Sequence, residues 1–403
     1  MTLNLKNEME KQLSKNVLLA LQLCSLAAEH TGTKVYLIGG VVRDLFLKKE
    51  IFDIDITVQG DATKFCHFLA NKGTCKILQV QNDLKTVKVM FKNKVEIDFA
   101  STREETYPQR GHLPEIVRLG CPLKEDVCRR DFTINSLAIS LNEKDFGEVI
   151  DYVGGIDDLQ KGILRVLHDN SFNEDPSRII RGLKFAARFK LHRDAHTKML
   201  QEQYINSQIH RDISWTRIKS ELKQTFSLND GHVFDMFMAN DTYKLIFGEK
   251  VEFTGLEIKT LVDKYNPEYI WLTYLGCVLD DEQVIESLCL TRAEKRIFSD
   301  KKKLLSEKLS MLNSNYEIYK FFEKKSLESV IIYYLLTQRK EALVYLEKLS
   351  NIKVEINGDE IKALGVKDGK QIGKLLDKVL KRKLAGQIIN KTDEINYVKT
   401  KIN

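Results

Sequence analysis

The stretch KVYLIGGVVRDLFLKKEIFDIDITV (residues 34–58) carries the decisive pattern. Its opening residues are β-rich and run into Gly39-Gly40; VVRDLFLKK then shows helical spacing, and DIDITV returns to strand-like alternation. In Asp53-Ile54-Asp55-Ile56, side chains at i and i+2 leave the same face. Both carboxylates therefore point one way while Ile54 and Ile56 pack behind. Two like charges held together require a cation, and oxygen-only ligands suit Mg²⁺. Upstream, Gly39 and Gly40 lie between a strand and a helix start, where free backbone N–H groups bind phosphate. Arg43, one turn in, could add a charge-assisted contact to a triphosphate. The segment is not a Walker A loop, since no G-K-[ST] follows, and it lacks the third glycine of a dinucleotide fingerprint.

Val95-Glu96-Ile97-Asp98-Phe99 is another alternating strand. Asp98 could join the metal pair or take the proton from an attacking hydroxyl, and Glu96, of the same phase, competes for the role. Residues 6–30 have apolar positions at helical spacing and predict a leading helix. Strands are expected over 53–58, 74–79, 85–92 and 94–100, with a helix over 61–72. The polar segment 101–122 holds Pro108, Gly111, Pro114 and Gly120 and predicts a long, mobile loop of functional importance. Strands return near 137–142 and 148–152. Beyond about residue 155 only LRVLH (164–168) keeps a β signal. Helical patterns then run to the C-terminus, with Asp175 or Ser214 as helix starts. The fold class is α+β, a mixed head before a long helical body.

With 403 residues, two or more domains are expected. A composition of 43% hydrophobic and 30% charged residues is that of a soluble globular chain. No apolar run approaches the roughly 20 residues of a membrane span, and MTLNLKNEMEKQL lacks a secretory apolar stretch. Seven scattered cysteines without a CxxC pair exclude a disulfide framework or zinc site and fit a reducing compartment. No membrane partner and a cytoplasmic location are expected. The net charge of +6 is mild. Part of it clusters, at Lys301-Lys302-Lys303 and at Lys378 with Lys381-Arg382-Lys383, as either a polyanion-binding patch or a solvated surface.

Four segments occur in order: LIGGVVRD (37–44), DIDITV (53–58), RRDFTIN (129–135) and EDPSRIIRGLKFAARF (174–189). Together they resemble the class II tRNA nucleotidyltransferase/poly(A) polymerase family. Two weaker echoes follow, ISWTRIKSEL (213–222) and INGDEIKALGVKDGKQIGKLL (356–376). The resemblance implies a DNA polymerase β-like nucleotidyltransferase head with its leading helix (1–150). A neck for base recognition (151–222), a helical body (223–300) and a helical, tRNA-binding tail (301–403) would follow. Carried over by position, Asp53 and Asp55 would hold the catalytic metals. Gly40 and Arg43, with Gly39 in the same turn, would contact the triphosphate. Arg129, Arg130 and Asp131 would bind the nucleotide's sugar and phosphates. Asp175 and Arg178 would read the base, with Arg181 nearby. Lys184 stands where the family often has arginine; it keeps the charge but loses the planar fork.

Asp175 and Arg178 are three apart, so on a helix they share a face. Cytosine and adenine both present an amino donor beside a ring-nitrogen acceptor. A carboxylate facing the donor and a guanidinium facing the acceptor satisfy either base. Uracil and guanine reverse the order and would leave both groups unpaired, the stronger form of discrimination. An ordinary helix-surface ion pair is the alternative.

The resemblance implies template-independent addition of C, C and A to the 3′ end of tRNA from CTP and ATP, with Mg²⁺ and release of pyrophosphate. Members that add only CC have a shortened segment after the catalytic strands. Here Ser101 to Pro114 is full length, which favours complete CCA addition or A addition alone. An A-adding enzyme with a CC-adding partner, a poly(A) polymerase, and a catalytically silent RNA-binding protein are the alternatives. The intact Asp53, Asp55, Arg130, Asp175 and Arg178 weigh against silence; the tail-like segment favours tRNA. His168-Asp169, a lone HD pair, is expected to be incidental. Asp151-Tyr-Val-Gly154-Gly155 resembles the family's hinge or is a plain turn. Gly365, Gly369 and Gly373 form a phosphate-meeting turn or a helix connector. Tyr107 could stack on a base, whereas Phe132 suits a core. Monomer and homodimer remain open.

Overall fold

Alternating apolar residues assemble one sheet from segments of the N-terminal half, in a computed structural model that describes residues 3–207, 213–307, 312 and 314–402. The strands are β1 (Lys34–Ile38), β2 (Asp55–Gln59), β3 (Cys75–Gln81), β4 (Thr86–Phe91) and β5 (Glu96–Ser101). After a separate ribbon of β6 (Arg103–Thr106) and β7 (Glu115–Leu119) come β8 (Ala138–Ser140) and β9 (Val149–Ile150). The sheet order is β3-β4-β5-β2-β1-β8-β9. Only β2 and β5 pair in parallel within it, with Asp55 opposite Asp98. Val87, Val89 and Phe91 of β4 and Ile97 and Phe99 of β5 are buried. Their intervening residues, including Lys88 and Asp98, occupy the other face, as the two-residue period demands.

The helices of this unit are α1 (Lys6–Gln12), α2 (Lys15–Thr31), α3 (Gly40–Phe46), α4 (Ala62–Asn71) and α5 (Leu123–Cys128). They continue as α6 (Gly155–Lys161), α7 (Ser171–Glu174), α8 (Ser177–Phe189) and α9 (Ala195–Asn206), while α10 (Trp215–Phe226) starts in this unit and ends in the next. α4 lies against β3, β4 and β5 and against α2, burying Phe65, Cys66 and Leu69. The expected leading helix is two helices, because Ser14 is extended and its hydroxyl accepts from Val17 N at 3.3 Å, capping α2. LRVLH supplies only β10 (Ile163–Leu164), which pairs in parallel with β11 (His192–Arg193).

Segment 101–122 corrects the loop expectation, since β6 and β7 form an antiparallel ribbon there. Its alternation is charged rather than apolar, so hydrophobic periodicity could not reveal it. Ion pairs hold it instead: Arg118 with Glu104 at 3.3 Å and with Glu125, and Arg103 with Glu105 at 2.5 Å.

Asp151-Tyr-Val-Gly154-Gly155 is a fixed turn. One Asp151 oxygen accepts from Val153, Gly154 and Gly155 N at 2.9–3.1 Å, and the other accepts from Ile156 N at 3.0 Å. A Cβ on Gly155 would stand 2.3 Å from the carbonyl oxygen of Thr133, within RRDFTIN. The glycine therefore seats α6 directly on that motif.

The chain divides into two compact units, Met1–Ile218 and Lys219–Asn403. The second is helical among its described residues. Stacked Phe226 and Tyr274, 5.6 Å apart, centre one core, and Ile361, Val379 and Val398 belong to another. The Lys301-Lys302-Lys303 cluster is not the open basic patch that its spacing suggests. Lys301 is buried and donates to the carbonyls of Gly276 and Leu279 at 2.7 and 3.2 Å while pairing with Asp280 at 2.6 Å. It serves the C-terminal end of helix Ile270–Val278, and Lys302 pairs with Glu282. In the second cluster Lys383 is bound by Glu355 at 2.7 Å and by buried Glu394 at 2.6 Å. Gly365 lies in the connector between helices Gly358–Ala363 and Gly369–Leu384; Gly369 opens the second helix and Gly373 lies one turn on. Among the described residues no helix is long and apolar enough to cross a membrane.

Gly155→Ala is expected to destabilise the protein by about 1–3 kcal/mol, because backbone rather than a mobile side chain occupies the space. The fall in the urea unfolding midpoint measures it; an unchanged midpoint would show that α6 does not need that approach.

Candidate active site

The sheet face away from α4 carries a cleft of about 470 Å³. Its lining includes Asp55, Asp98, Lys88, Thr86, Gln79, Gln81 and Arg130. Asp55 and Asp98 face each other across the parallel β2–β5 register, and Asp53 lies two residues before Asp55. Lys88 opposes Asp98 on β4 and pairs with it at 3.1 Å, more closely than with Glu96 at 3.9 Å. Register thus brings Asp98, not Glu96, to Asp55. Lost hydration first, then the Asp98 carboxylate, push the Asp55 carboxyl above its ordinary range. Asp53 adds to the repulsion, while Arg130 and Arg181 oppose it. Among the described residues no three His, Cys, Asp or Glu side chains form a ready metal cage. Carboxylates with unrelieved repulsion fit a hard cation that keeps water or substrate oxygens in its shell. Asp53 and Asp55 are the residues that would hold it.

The Gly39-Gly40 turn opens α3, with Gly39 at φ 78°, a conformation closed to most side chains. Arg43 faces inward. Its Nε and one terminal nitrogen reach Asp44 at 2.8 and 3.1 Å, the other reaches Asn135 Oδ1 at 2.5 Å, and the guanidinium lies 4.2 Å from the Phe189 ring. It braces the turn from behind instead of standing open to a triphosphate. Asn135 continues the chain, donating to both Asp131 oxygens at 3.1 and 3.3 Å. Arg181 pairs with Asp131 at 3.0 Å. Burial pushes the Asp131 carboxyl up, but Arg181, the Asn135 amide, Arg178 and the Phe132 N–H outweigh it and hold it low.

RRDFTIN is organised by Asp126, a fully buried carboxylate that the motif reading missed. It binds Arg129 at 2.7 Å, Arg130 at 2.9 Å and the backbone N of Arg103 at 3.1 Å. Its spacing of three and four residues before Arg129 and Arg130 was the available signal. Arg129 also reaches Glu105 at 2.8 Å and the Arg103 carbonyl at 3.0 Å, so it anchors the ribbon. Arg130 faces the cleft, and its buried Nε has no partner among the described residues. Phe132 is core, edge-on to Phe185 at 6.0 Å.

Asp175 and Arg178 do not share a helix. Asp175 sits in the extended break between α7 and α8, where Oδ1 accepts from Ser177 N at 3.1 Å and Ser177 Oγ at 2.5 Å. The two still converge, at 3.8 Å. Arg178 donates to Ser171 Oγ at 2.8 Å, to the Arg129 carbonyl at 3.1 Å and to the Tyr107 hydroxyl at 3.5 Å. Arg217 of α10, quoted in ISWTRIKSEL without a role, pairs with Asp175 and keeps a buried terminal nitrogen with no partner among the described residues. Lys184 lies 5.7 Å from the Phe185 ring, as Arg181 does. His168-Asp169 is no metal pair: His168 meets Glu174 at 3.3 Å and Asp169 meets His196 at 2.8 Å.

Burial pushes the Asp126 carboxyl up, but Arg130, then Arg129, depress it below the ordinary value. Its stabilisation is therefore present above the unfolded carboxylate pKa and lost as pH falls through the lower folded one. Asp126→Asn is expected to cost roughly 3–5 kcal/mol at neutral pH, by leaving buried arginine charge uncompensated. It should also flatten the stability loss below about pH 4. Urea unfolding across pH measures both; an equal acid slope in the variant would place that linkage elsewhere.

Comparison with known proteins agrees with this geometry. The poly(A) polymerase head domain matches residues 35–165. An A-adding tRNA nucleotidyltransferase of Aquifex aeolicus is 32% identical over 88% of this chain and 45% of its own length. One of Halalkalibacterium halodurans is 26% identical over 99% of this chain and 96% of its own. The solved Thermotoga maritima CCA-adding enzyme complexed with tRNA-CCA has a TM-score of 0.81 at 26% identity, covering 100% of both chains. The chain spans 45% and 44% of the length of the first two curated relatives it matches. The head is of the DNA polymerase β-like kind and carries the poly(A) polymerase head domain, and the chain is similar to tRNA nucleotidyltransferases over most of its length.

Proposed function

We propose that this protein adds the terminal A to the 3′ end of tRNA from ATP, without a template and with release of pyrophosphate. The observation that carries the reading is the cleft in which Asp55 and Asp98 stand in register beside Arg130. Relatives named as A-adding tRNA nucleotidyltransferases support the reaction. Complete CCA addition from CTP and ATP is the wider reading, favoured by likeness to solved CCA-adding enzymes complexed with CTP and with ATP. Both readings share the last step.

In this mechanism the RNA 3′-hydroxyl attacks the α-phosphate in line as pyrophosphate leaves. Asp53 and Asp55 would hold Mg²⁺, which would supply Lewis-acid activation of the hydroxyl and charge stabilisation of the leaving group. Asp98, in register with Asp55, either adds a ligand oxygen or accepts the hydroxyl proton. Arg130 offers its unpartnered Nε to the nucleotide's phosphates. Asp131 keeps Arg181 in place, and Arg43 acts through Asn135 on Asp131. Asp175 and Arg178 read the Watson–Crick edge, with Arg217 fixing Asp175. Tyr107, at the end of the ribbon, touches Arg178 and links ribbon position to base reading. Residues 151–222 then serve as the base-reading neck, 223–300 as body and 301–403 as tRNA-binding tail.

Purified protein with Mg²⁺ should extend tRNA lacking only its final A by one residue. Growth of tRNAs lacking CA and CCA to full length with CTP plus ATP would establish the wider reading. Open-ended tails would indicate a poly(A) polymerase, and no extension would sink the proposal. Asp53→Ala and Asp55→Ala should each abolish incorporation while tRNA retention on filters stays within about twofold; retained incorporation would remove these residues from catalysis.

Protons compete with the cation for Asp55. Mg²⁺ affinity is therefore expected to fall as pH drops through the raised Asp55 pKa. Asp98→Asn removes a repelling charge and should move that acid limb to lower pH. Calorimetric Mg²⁺ titration across pH tests this; an unmoved limb would mean that Asp98 does not set the Asp55 pKa.

A further inference from the structure

Phe52 stands immediately before Asp53 and is 68% exposed. A lone exposed ring is ordinary on a protein surface; this one is distinguished by its surroundings. The Arg188 guanidinium lies 5.8 Å from its centroid and 5.2 Å from that of Phe189. Arg188 is itself exposed and has no carboxylate partner among the described residues. Arg181 and Lys184, seven and four residues earlier on α8, share its face. A π-surface with a cation over it therefore stands one residue from Asp53.

This is the chemistry that takes a nucleobase: stacking is tolerant of base identity, and arginine adds cation–π and phosphate contact. The base of the incoming nucleotide does not need it. That base is assigned to Asp175 and Arg178, and Arg178 lies roughly 15 Å from Arg188 along α8, ten residues at the helical rise. One base cannot touch both ends. The other base that must reach Asp53 and Asp55 belongs to the strand whose 3′-hydroxyl reacts. We propose that Phe52, with Arg188 over one side of its ring, is the stacking platform for the terminal base of the RNA being extended. The inference rests on the function proposed above and adds the seat of the second substrate.

The test uses full-length protein and a tRNA ending in CC, with pyrrolocytosine as its terminal base. Binding to the wild type should quench that fluorophore. Phe52→Ala and Phe52→Leu should lose the quench and raise KM for tRNA about tenfold, with KM for ATP unchanged. Phe52→Tyr should restore both. Arg188→Gln should raise KM for tRNA by a smaller factor. Leucine preserves apolar bulk without a π-face, so it separates stacking from folding, and unchanged thermal midpoints check the latter. Wild-type quench and KM in both Phe52→Ala and Phe52→Leu would overturn the platform while leaving tRNA extension standing. A wild type that binds ATP but neither binds nor extends tRNA would overturn the functional reading and the platform with it.

Discussion

A carboxylate sealed from water has to be matched by charge and by hydrogen bonds, and Asp126 imposes that demand at the centre of the first unit. Its oxygens gather Arg129, Arg130 and the Arg103 amide. Each of these leads elsewhere. Arg130 turns toward the cleft, Arg103 begins the ribbon, and the Arg129 carbonyl accepts from Arg178. Removing one buried partner strands the others. The ribbon, the cleft and Arg178 are thus tied to one buried charge.

The cleft works by the opposite logic. There the carboxylates are set so that their repulsion is not cancelled, and among the described residues only Asp98 has a lysine of its own. Behind them, Arg43, Asn135, Asp131 and Arg181 form a satisfied series. Satisfied groups hold position; unsatisfied ones await a ligand. The buried nitrogens of Arg130 and Arg217 that lack partners among the described residues belong to the second kind.

Local period carried most of the fold. The alternation in DIDITV and VEIDF set the strand faces, and the register then decided between Asp98 and Glu96, which periodicity alone left level. The burial of Arg43 was not legible, because a motif position says nothing of depth. Its guanidinium is held by Asn135, 92 residues away, and such pairs are invisible to local spacing. Asp126 had a helical spacing signal, but as an ordinary i,i+4 ion pair it gave no sign of burial. Lys301 shows the same limit, since a basic triplet reads alike whether it faces solvent or caps a helix within a core. The ribbon escaped notice because its alternation is ionic.

That ionic construction gives the ribbon two unlike faces. Toward its solvent side, Arg118 with Glu104 and Glu125 works between side chains about half exposed. On the opposite face, Glu105 is nearly sealed between Arg103 and Arg129. Dissolved ions weaken exposed pairs over a Debye length of about 8 Å at physiological strength, and reach buried ones far less. Rising salt therefore weakens the pairs of the exposed face while the sealed face keeps its own, so ionic strength acts on one side of the ribbon far more than on the other.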